Sequence, residues 1–190
     1  MEIIFAPRRK RPNPPDPVNG IKQVESLVAL GVHVSNNLSA SKHVTETITA
    51  CSRSLYALRI LKAHGLVGQA LHTVFQATTL AKLLYGAQAW SGFCLASDLN
   101  RLDSFLRRCK ISGFCDPGTP SIRDLLQQAD ESLFYRVRRD MQHVLHQLLP
   151  PKTEHEHNIR NRKHSFGLTI KTQSLNNNNF IVRMLYKNIY

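Results

Sequence analysis

The sequence predicts an α+β chain: a small β-hairpin or sheet remnant at the N-terminal end, an α-helical bundle behind it, and a poorly ordered C-terminal tail. Three observations predict it. Up to Val34 the apolar residues come in short runs rich in β-formers. After Asn36-Asn37 their spacing becomes helical, and beyond Pro150-Pro151 it fades into a polar stretch with four consecutive asparagines, Asn176 to Asn179.

Taken in order, Glu2 to Phe5 reads as a strand and Pro7 to Pro17 as a proline-rich loop carrying Arg8-Arg9-Lys10-Arg11. Ile21 to Glu25 and Leu27 to Val34 read as further short strands, the latter with a hairpin around Leu30-Gly31-Val32. Val44, Ile48, Cys51, Leu55 and Leu58 then recur at steps of four and three, which draws one apolar stripe down a helix that Gly65 stops. A second helix, about Val67 to Trp90, is apolar nearly all round and suits the centre of a bundle. A third begins at Ser97 as N-cap and ends at Gly113, with Asp98 in its first turn and Arg107, Arg108 and Lys110 in its last. Thr119-Pro120 opens a short helix to about Gln128. Asp130 caps the next one, whose stripe is Phe134, Val137, Met141, Val144 and Leu148, and Pro150-Pro151 ends it. Lys152 to Asn179 is expected to be flexible, with Phe180 to Tyr190 apolar enough to dock back.

Charge narrows the partners. The chain has 190 residues and a net charge of +12, a surplus that favours a polyanion. It is unevenly spread: residues 51 to 110 hold eight basic and two acidic side chains, 151 to 190 hold seven and two, and 111 to 150 hold four and five. A membrane span is not expected, because the least charged stretch, Gly65 to Ser97, is interrupted by Lys82 and several polar residues. Cys51, Cys94, Cys109 and Cys115 form no CxxC pair and read as reduced core thiols of an intracellular protein. The run Arg8 to Arg11 has the composition of a nuclear import signal and equally of a solvated loop, so nucleus and cytoplasm both stay open.

Catalytic motifs are missing. There is no GxGxxG, GxxxxGK[ST] or GxSxG, and the only adjacent acids are Asp130-Glu131. His143 and His146 lie three apart but have no third ligand at metal-binding spacing, and His155, His157 and His164 sit in the polar tail. No catalytic residue, metal ligand or bound cofactor is therefore assigned.

A set of short motifs carries a resemblance: Leu30-Gly31-Val32-His33-Val34, Leu38-Ser39, Lys42-His43-Val44, Leu55-Tyr56-Ala57-Leu58, His64-Gly65-Leu66 and Leu84-Tyr85-Gly86 with Ala89-Trp90. It continues through Arg107-Arg108, Ala129-Asp130, Leu133-Phe134, His143, Leu145-His146, Leu148-Leu149-Pro150 and Asn179-Phe180-Ile181 with Arg183-Met184-Leu185-Tyr186. In this order and spacing they resemble the region after the active site in reverse transcriptases of non-LTR (LINE-type) retrotransposons, across nearly the whole chain. The resemblance implies the end of a palm with its primer-grip hairpin over 1–40, a helical thumb-like bundle over 41–150 and a basic extension over 151–190. It implies that Leu30, Gly31 and Val32 hold the primer end, and that a template-primer duplex of RNA and DNA is the partner, together with the palm and fingers of the same polymerase. Arg53, Arg59, Lys62, Arg101 and Arg108, off the apolar stripes, are the expected phosphate contacts.

Departures from the family pattern matter as much. The full polymerase needs paired aspartates of a [YF]xDD turn to hold Mg²⁺, and no such turn is present here. Ala40 stands where a tryptophan is common, and Val28-Ala29 replace the usual lysine and bulky apolar pair. The expectation is a C-terminal polymerase fragment that binds template-primer and is inactive alone. An autonomous nucleic-acid-binding helical domain and a decayed element copy without function are the alternatives.

Overall fold

A computed structural model of the chain describes residues 1–5, 16, 18–152, 164–170 and 177–187. The Arg8-Arg9-Lys10-Arg11 run, His155 and His157, and the tail residues 153–163 and 171–176 lie outside them. Two antiparallel strands followed by helices make the fold α+β, as the sequence predicts. Among the described residues no helix is long and apolar enough to cross a membrane. The chain divides into two compact units, Met1–Gly86 with Phe93–Leu125, and Ala87–Gly92 with Leu126–Tyr190.

The first unit opens with β1 (Ser26–Ala29) and β2 (Val32–Ser35), paired from Ser26 with Ser35 to Ala29 with Val32. Leu27 to Val34 thus folds back on itself at Leu30-Gly31. The strands expected at Glu2 to Phe5 and Ile21 to Glu25 reduce to one parallel bridge between Glu2 and Gln23. Helix α1 (Ser41–Ala63) follows, and four of the five residues of its predicted stripe are buried, Val44, Cys51, Leu55 and Leu58, while Ile48 is half-buried and Thr47 takes the buried place beside it. Each of the aliphatic members gains about 1.5–3 kcal/mol from leaving water. This helix is the hub of the unit, packing against β2, against the helical segment that follows, and against α5 (Ala96–Ile111).

That following segment corrects an expectation. The continuous, all-round-buried helix from Val67 to Trp90 is instead α2 (Gly68–Phe75), a π-helical turn (Gln76–Leu80) and α3 (Ala81–Leu83), and it stops before Gly86, which has φ +58°. Only one stripe is buried, Leu71, Phe75, Thr79 and Leu83, while Gln69, Thr73, Gln76 and Ala77 are exposed. The step of four explains the wide turn. Four residues overshoot a turn of 3.6 by about 40°, and a single i→i+5 turn takes up the accumulated drift. The carbonyl of Thr79 within it accepts the Cys51 thiol at 3.5 Å.

Helix α5 starts from Leu95, not from Ser97. The Asp98 carboxylate accepts the Leu95 amide at 3.2 Å and the Ser41 hydroxyl at 2.7 Å, so it closes the helix start and ties it to the start of α1. Leu102, Phe105, Leu106 and Cys109 form its buried face. Cys51, Cys109 and Cys115 are buried thiols; burial pushes Cys51 up to about 11 and Cys109 up to about 12, which leaves them protonated and unreactive at neutral pH.

A second correction concerns α6, one helix over Ile122–Arg139 where two were expected. Its start is a reciprocal cap: the Ser121 hydroxyl accepts the Asp124 amide at 3.2 Å and the Asp124 carboxylate accepts the Ser121 amide at 3.3 Å. Asp130 is not a cap. It lies inside the helix, 5% exposed, and pairs with Arg183 at 2.8 Å. The helix ends at Arg139, where Asp140 turns its carboxylate back to the Gln142 amide at 2.9 Å. Met141, Val144 and Leu148, expected in the core, are consequently exposed.

In the second unit Phe134, Phe166, Met184 and Leu185 form the core, with Phe180, Ile181 and Tyr186 packed on it. The C-terminal helix α7 (Phe180–Leu185) docks as the apolar end of the sequence predicts. Arg183 reaches both Asp130 and the Ser91 hydroxyl, the latter at 3.2 Å, and Lys187 pairs with Glu131 at 2.7 Å. Gly92 is required by close approach, since a Cβ there would sit 2.1 Å from the Asn178 carbonyl oxygen. The histidines serve the framework. His146 Nδ1 donates to the Val137 carbonyl at 2.7 Å, and buried His164 donates from Nε2 to the Leu185 carbonyl at 2.9 Å. His143 Nδ1 accepts the Leu145 amide at 3.1 Å.

Candidate nucleic-acid interface

The tip of the hairpin is strained and open. Leu30 has φ +48° and Gly31 φ +80°, the double positive φ of a type I′ turn, whose twist matches the flanking strands. Glycine adopts that conformation readily; leucine does so at a cost of roughly 1–2 kcal/mol. The leucine side chain is 92% exposed, so no burial offsets the strain. What holds the turn is its surroundings. The Tyr85 hydroxyl donates to the Leu30 carbonyl at 3.1 Å, and a Cβ on Gly31 would meet Tyr85 Cε1 at 3.4 Å.

The same hairpin is fastened to the first turn of α1. Lys42 donates to the Ser26 hydroxyl at 2.9 Å, and the His33 amide donates to His43 Nδ1 at 3.4 Å. Buried His43 therefore carries its proton on Nε2, facing Thr47 Oγ1 at 3.5 Å. Its pKa is lowered, first by burial and then by neighbouring His33, whose ring centroid lies 6.2 Å away. Between hairpin, α1 and α3 runs an open groove of about 560 Å³, lined among others by Gly31, His33, Glu46, Thr78, Lys82 and Tyr85. The π-helical turn forms part of its wall, and such turns recur at functional sites.

Of the expected phosphate contacts, Arg53 and Arg59 on α1 are exposed and have no hydrogen-bond or ion-pair partner among the described residues. They do not share one face. Six residues apart, they point about 120° from each other. Lys62 is used internally: its ammonium donates to the Ser112 carbonyl at 2.7 Å and lies 5.6 Å from the Phe114 ring centre. Arg101 reaches Asp98 at 3.5 Å and the Thr45 hydroxyl at 3.0 Å, with its side chain still 45% exposed. Arg108 is exposed and rests 5.9 Å from the centre of the Phe105 ring. The structure thus keeps Arg101 and Arg108 on one face of α5, leaves Arg53 and Arg59 open on α1, and engages the exposed Lys62 with the end of α5.

Sequence reasoning has His33, His43 and Tyr85 within the motifs of the resemblance and Lys82 as an interruption of an apolar stretch, but assigns none of these groove residues to a site. The legible signal was the pair of Gly-flanked segments, Leu30-Gly31 and Tyr85-Gly86, each needing close backbone approach; a Cβ on Gly86 would sit 3.2 Å from Val32.

No group of three or more His, Cys, Asp or Glu side chains among the described residues is placed to hold a metal ion, and no nucleotide-addition step is derived. The chain matches no family model, no curated protein and no solved structure.

Proposed function

We propose that this chain is the template-primer-holding part of an RNA-directed DNA polymerase of the non-LTR retrotransposon type, contributing grip and thumb but no catalytic carboxylates. The observation that carries the reading is the Leu30-Gly31 turn: a strained, exposed backbone tip, braced by Tyr85 and pinned to the basic helix α1. Strain of this kind persists where surrounding structure over-determines it, and it concentrates at sites that clamp ligands. Arg53, Arg59, Arg101 and Arg108 supply cations next in the chain.

The hydroxyls of α1 support a sequence-tolerant mode. Thr45, Thr49, Ser52 and Ser54 all donate to carbonyls four residues back, so none has its proton available for a base edge. Contacts of this helix with nucleic acid then fall on phosphates, which position a duplex without reading it.

The test is fluorescence anisotropy with a labelled RNA-DNA hybrid over a salt series. Three uncommitted cations, Arg53, Arg59 and Arg108, give a log-log slope near about −2.7 at 0.9 per phosphate. Replacing all three by alanine should flatten it and weaken every hybrid sequence alike. Affinity that ignores salt, or survives the triple replacement, rules the proposal out.

A further inference from the structure

We infer that Asn19-Gly20 is a site of spontaneous modification, at which the folded chain converts Asn19 to isoaspartate and so loosens the tie between Glu2 and the segment before β1. The inference stands apart from the polymerase reading. Asn19 is the only asparagine of the chain that a glycine follows. The Ile21 amide donates to the Val18 carbonyl at 2.9 Å, which makes Asn19 and Gly20 the central pair of a β-turn. Gly20 at φ +79°, after an asparagine at ordinary negative φ, gives the type II form. The amide between the two central residues lies outside the hydrogen bond that closes such a turn. Asn19 is exposed, and a Cβ on Gly20 would meet nothing within 4 Å. Neither the Gly20 amide nor the Asn19 side chain is hydrogen-bonded among the described residues. The attacking nitrogen and the attacked carbonyl are therefore adjacent, unengaged and unhindered.

The chemistry needs only water. The Gly20 nitrogen, losing its proton to solvent, bonds to Asn19 Cγ; the Cγ–Nδ2 bond breaks and Nδ2 leaves as ammonia, which closes a five-membered imide. Water then opens the ring. Attack at Cγ gives aspartate, and attack at the backbone carbonyl carbon gives isoaspartate, whose chain runs through Cγ and is one atom longer. Nothing is oxidised or reduced.

The same structure holds other asparagines back. The Leu38 amide donates to the Ser35 carbonyl at 2.8 Å, and Asn37 Oδ1 accepts the Ser39 amide at 3.1 Å. Asn100 precedes an amide inside the ladder of α5, and Asn179 Oδ1 accepts the Ile181 amide at 2.9 Å. Each of the three is followed by a residue whose Cβ crowds the ring. What adjoins Asn19 gives the conversion its effect. The Glu2 amide donates to the Lys22 carbonyl at 3.0 Å, the Val24 amide to the Glu2 carbonyl at 2.9 Å, and Gln23 Nε2 to the Glu2 carboxylate at 3.0 Å. An extra backbone atom and a new carboxylate at position 19 break the closing bond of the turn and pull Lys22 to Val24 out of register with Glu2.

The experiment incubates the full chain in mildly alkaline and in mildly acidic buffer and follows every asparagine by peptide mass spectrometry, with isoaspartate separated from aspartate. Asn19 should convert at least about tenfold faster than any other asparagine, equivalent to about 1.4 kcal/mol in the barrier, and faster in the alkaline buffer. Isoaspartate should exceed aspartate. Asn19→Gln, which would need a six-membered ring, should abolish the conversion, and Gly20→Ala should slow it. Both changes sit in an exposed turn, and an unchanged far-UV spectrum checks the fold. The chain unfolded in guanidinium chloride is the reference: Asn19 should react at closely similar rates folded and unfolded, whereas Asn37 should react more slowly when folded. A folded chain that keeps Asn19 while the unfolded one loses it, or that converts Asn37 or Asn100 first, overturns the inference. The converted chain carries one more negative charge and separates by ion exchange. Trypsin should cut it after Lys22 faster than the parent, and cleavage at the parent rate overturns the loosening.

Discussion

Replacing Leu30 by asparagine should make the protein more stable. The position sits at φ +48° in the first central place of a type I′ turn, followed by Gly31 at φ +80°. Leucine has no local compensation for that conformation, whereas asparagine tolerates it and Asn-Gly is the preferred pair for such a turn. The lost side chain is 92% exposed, so almost no burial goes with it. Relief of most of a roughly 1–2 kcal/mol strain sets the gain at about 1 kcal/mol. For a chain of this size, that is about 2–4 °C in Tm. The opposite sign is expected next door: Gly31→Ala places a Cβ at φ +80° and 3.4 Å from Tyr85 Cε1, and should cost about 1–2 kcal/mol. Thermal and urea melts of both variants, followed by circular dichroism, read the two signs. A Leu30→Asn protein that melts at or below the parent temperature would refute the strain argument, because no packing loss is available to hide a gain.

Two further predictions follow from buried charge. Arg183→Met removes the partner of Asp130, whose side chain is 7% exposed and whose pKa burial already raises against the pull of Arg183; the loss should be about 3–5 kcal/mol in a denaturant melt at neutral pH, and smaller in acid, where the carboxyl neutralises. A loss under about 1 kcal/mol contradicts the pairing. His43 has a folded pKa below its ordinary 6.5, so the unfolded chain binds more protons below that value: its contribution is fully present above pH 6.5 and declines as pH falls. His33, Glu46, Lys82 and Tyr85 line the same groove, and His43→Gln leaves them in place. The stability difference between parent and His43→Gln should therefore change with pH only below 6.5; a constant difference from about pH 5 to about pH 8 shows that His43 does not titrate in that way.

Much of the fold was legible because it is local. The α1 stripe from Val44 to Leu58 needs only 3.6-residue periodicity, and its burial follows. Leu30-Gly31 between β-formers marks a turn by its glycine alone. The misreadings share one cause. Asp130 is a good N-cap residue by type, yet its partner Arg183 lies 53 positions away, and no local window contains that pair. Once Asp130 is taken for a cap, Met141, Val144 and Leu148 appear to continue a stripe that in fact ends with the helix at Arg139. The π-helical turn was hidden for a related reason: a four-residue spacing fits an α-helix over two turns, and only over four does the drift demand a correction. At the candidate site, composition identified which side chains are cationic but not which are already engaged. Lys62 and Ser112 meet because α1 and α5 pack, a fact that no spacing rule along one helix contains.

The make-up of the second unit has a consequence for how the chain is born. Its core joins Phe134 to Phe166, Met184 and Leu185, and α4 (Ala87–Trp90) also belongs to it. During synthesis α4 and then Phe134 leave the ribosome well before the residues that bury against them have been translated, at about 5–20 residues per second. The first unit needs nothing beyond Leu125 for its own contacts and is able to close early. The second must wait, with an aromatic surface bare, for its last helix. A ribosome that stalls between Leu149 and Phe166 would therefore release a molecule half finished: hairpin and α1 in place, and Phe134 open to chaperones, proteases or its own kind.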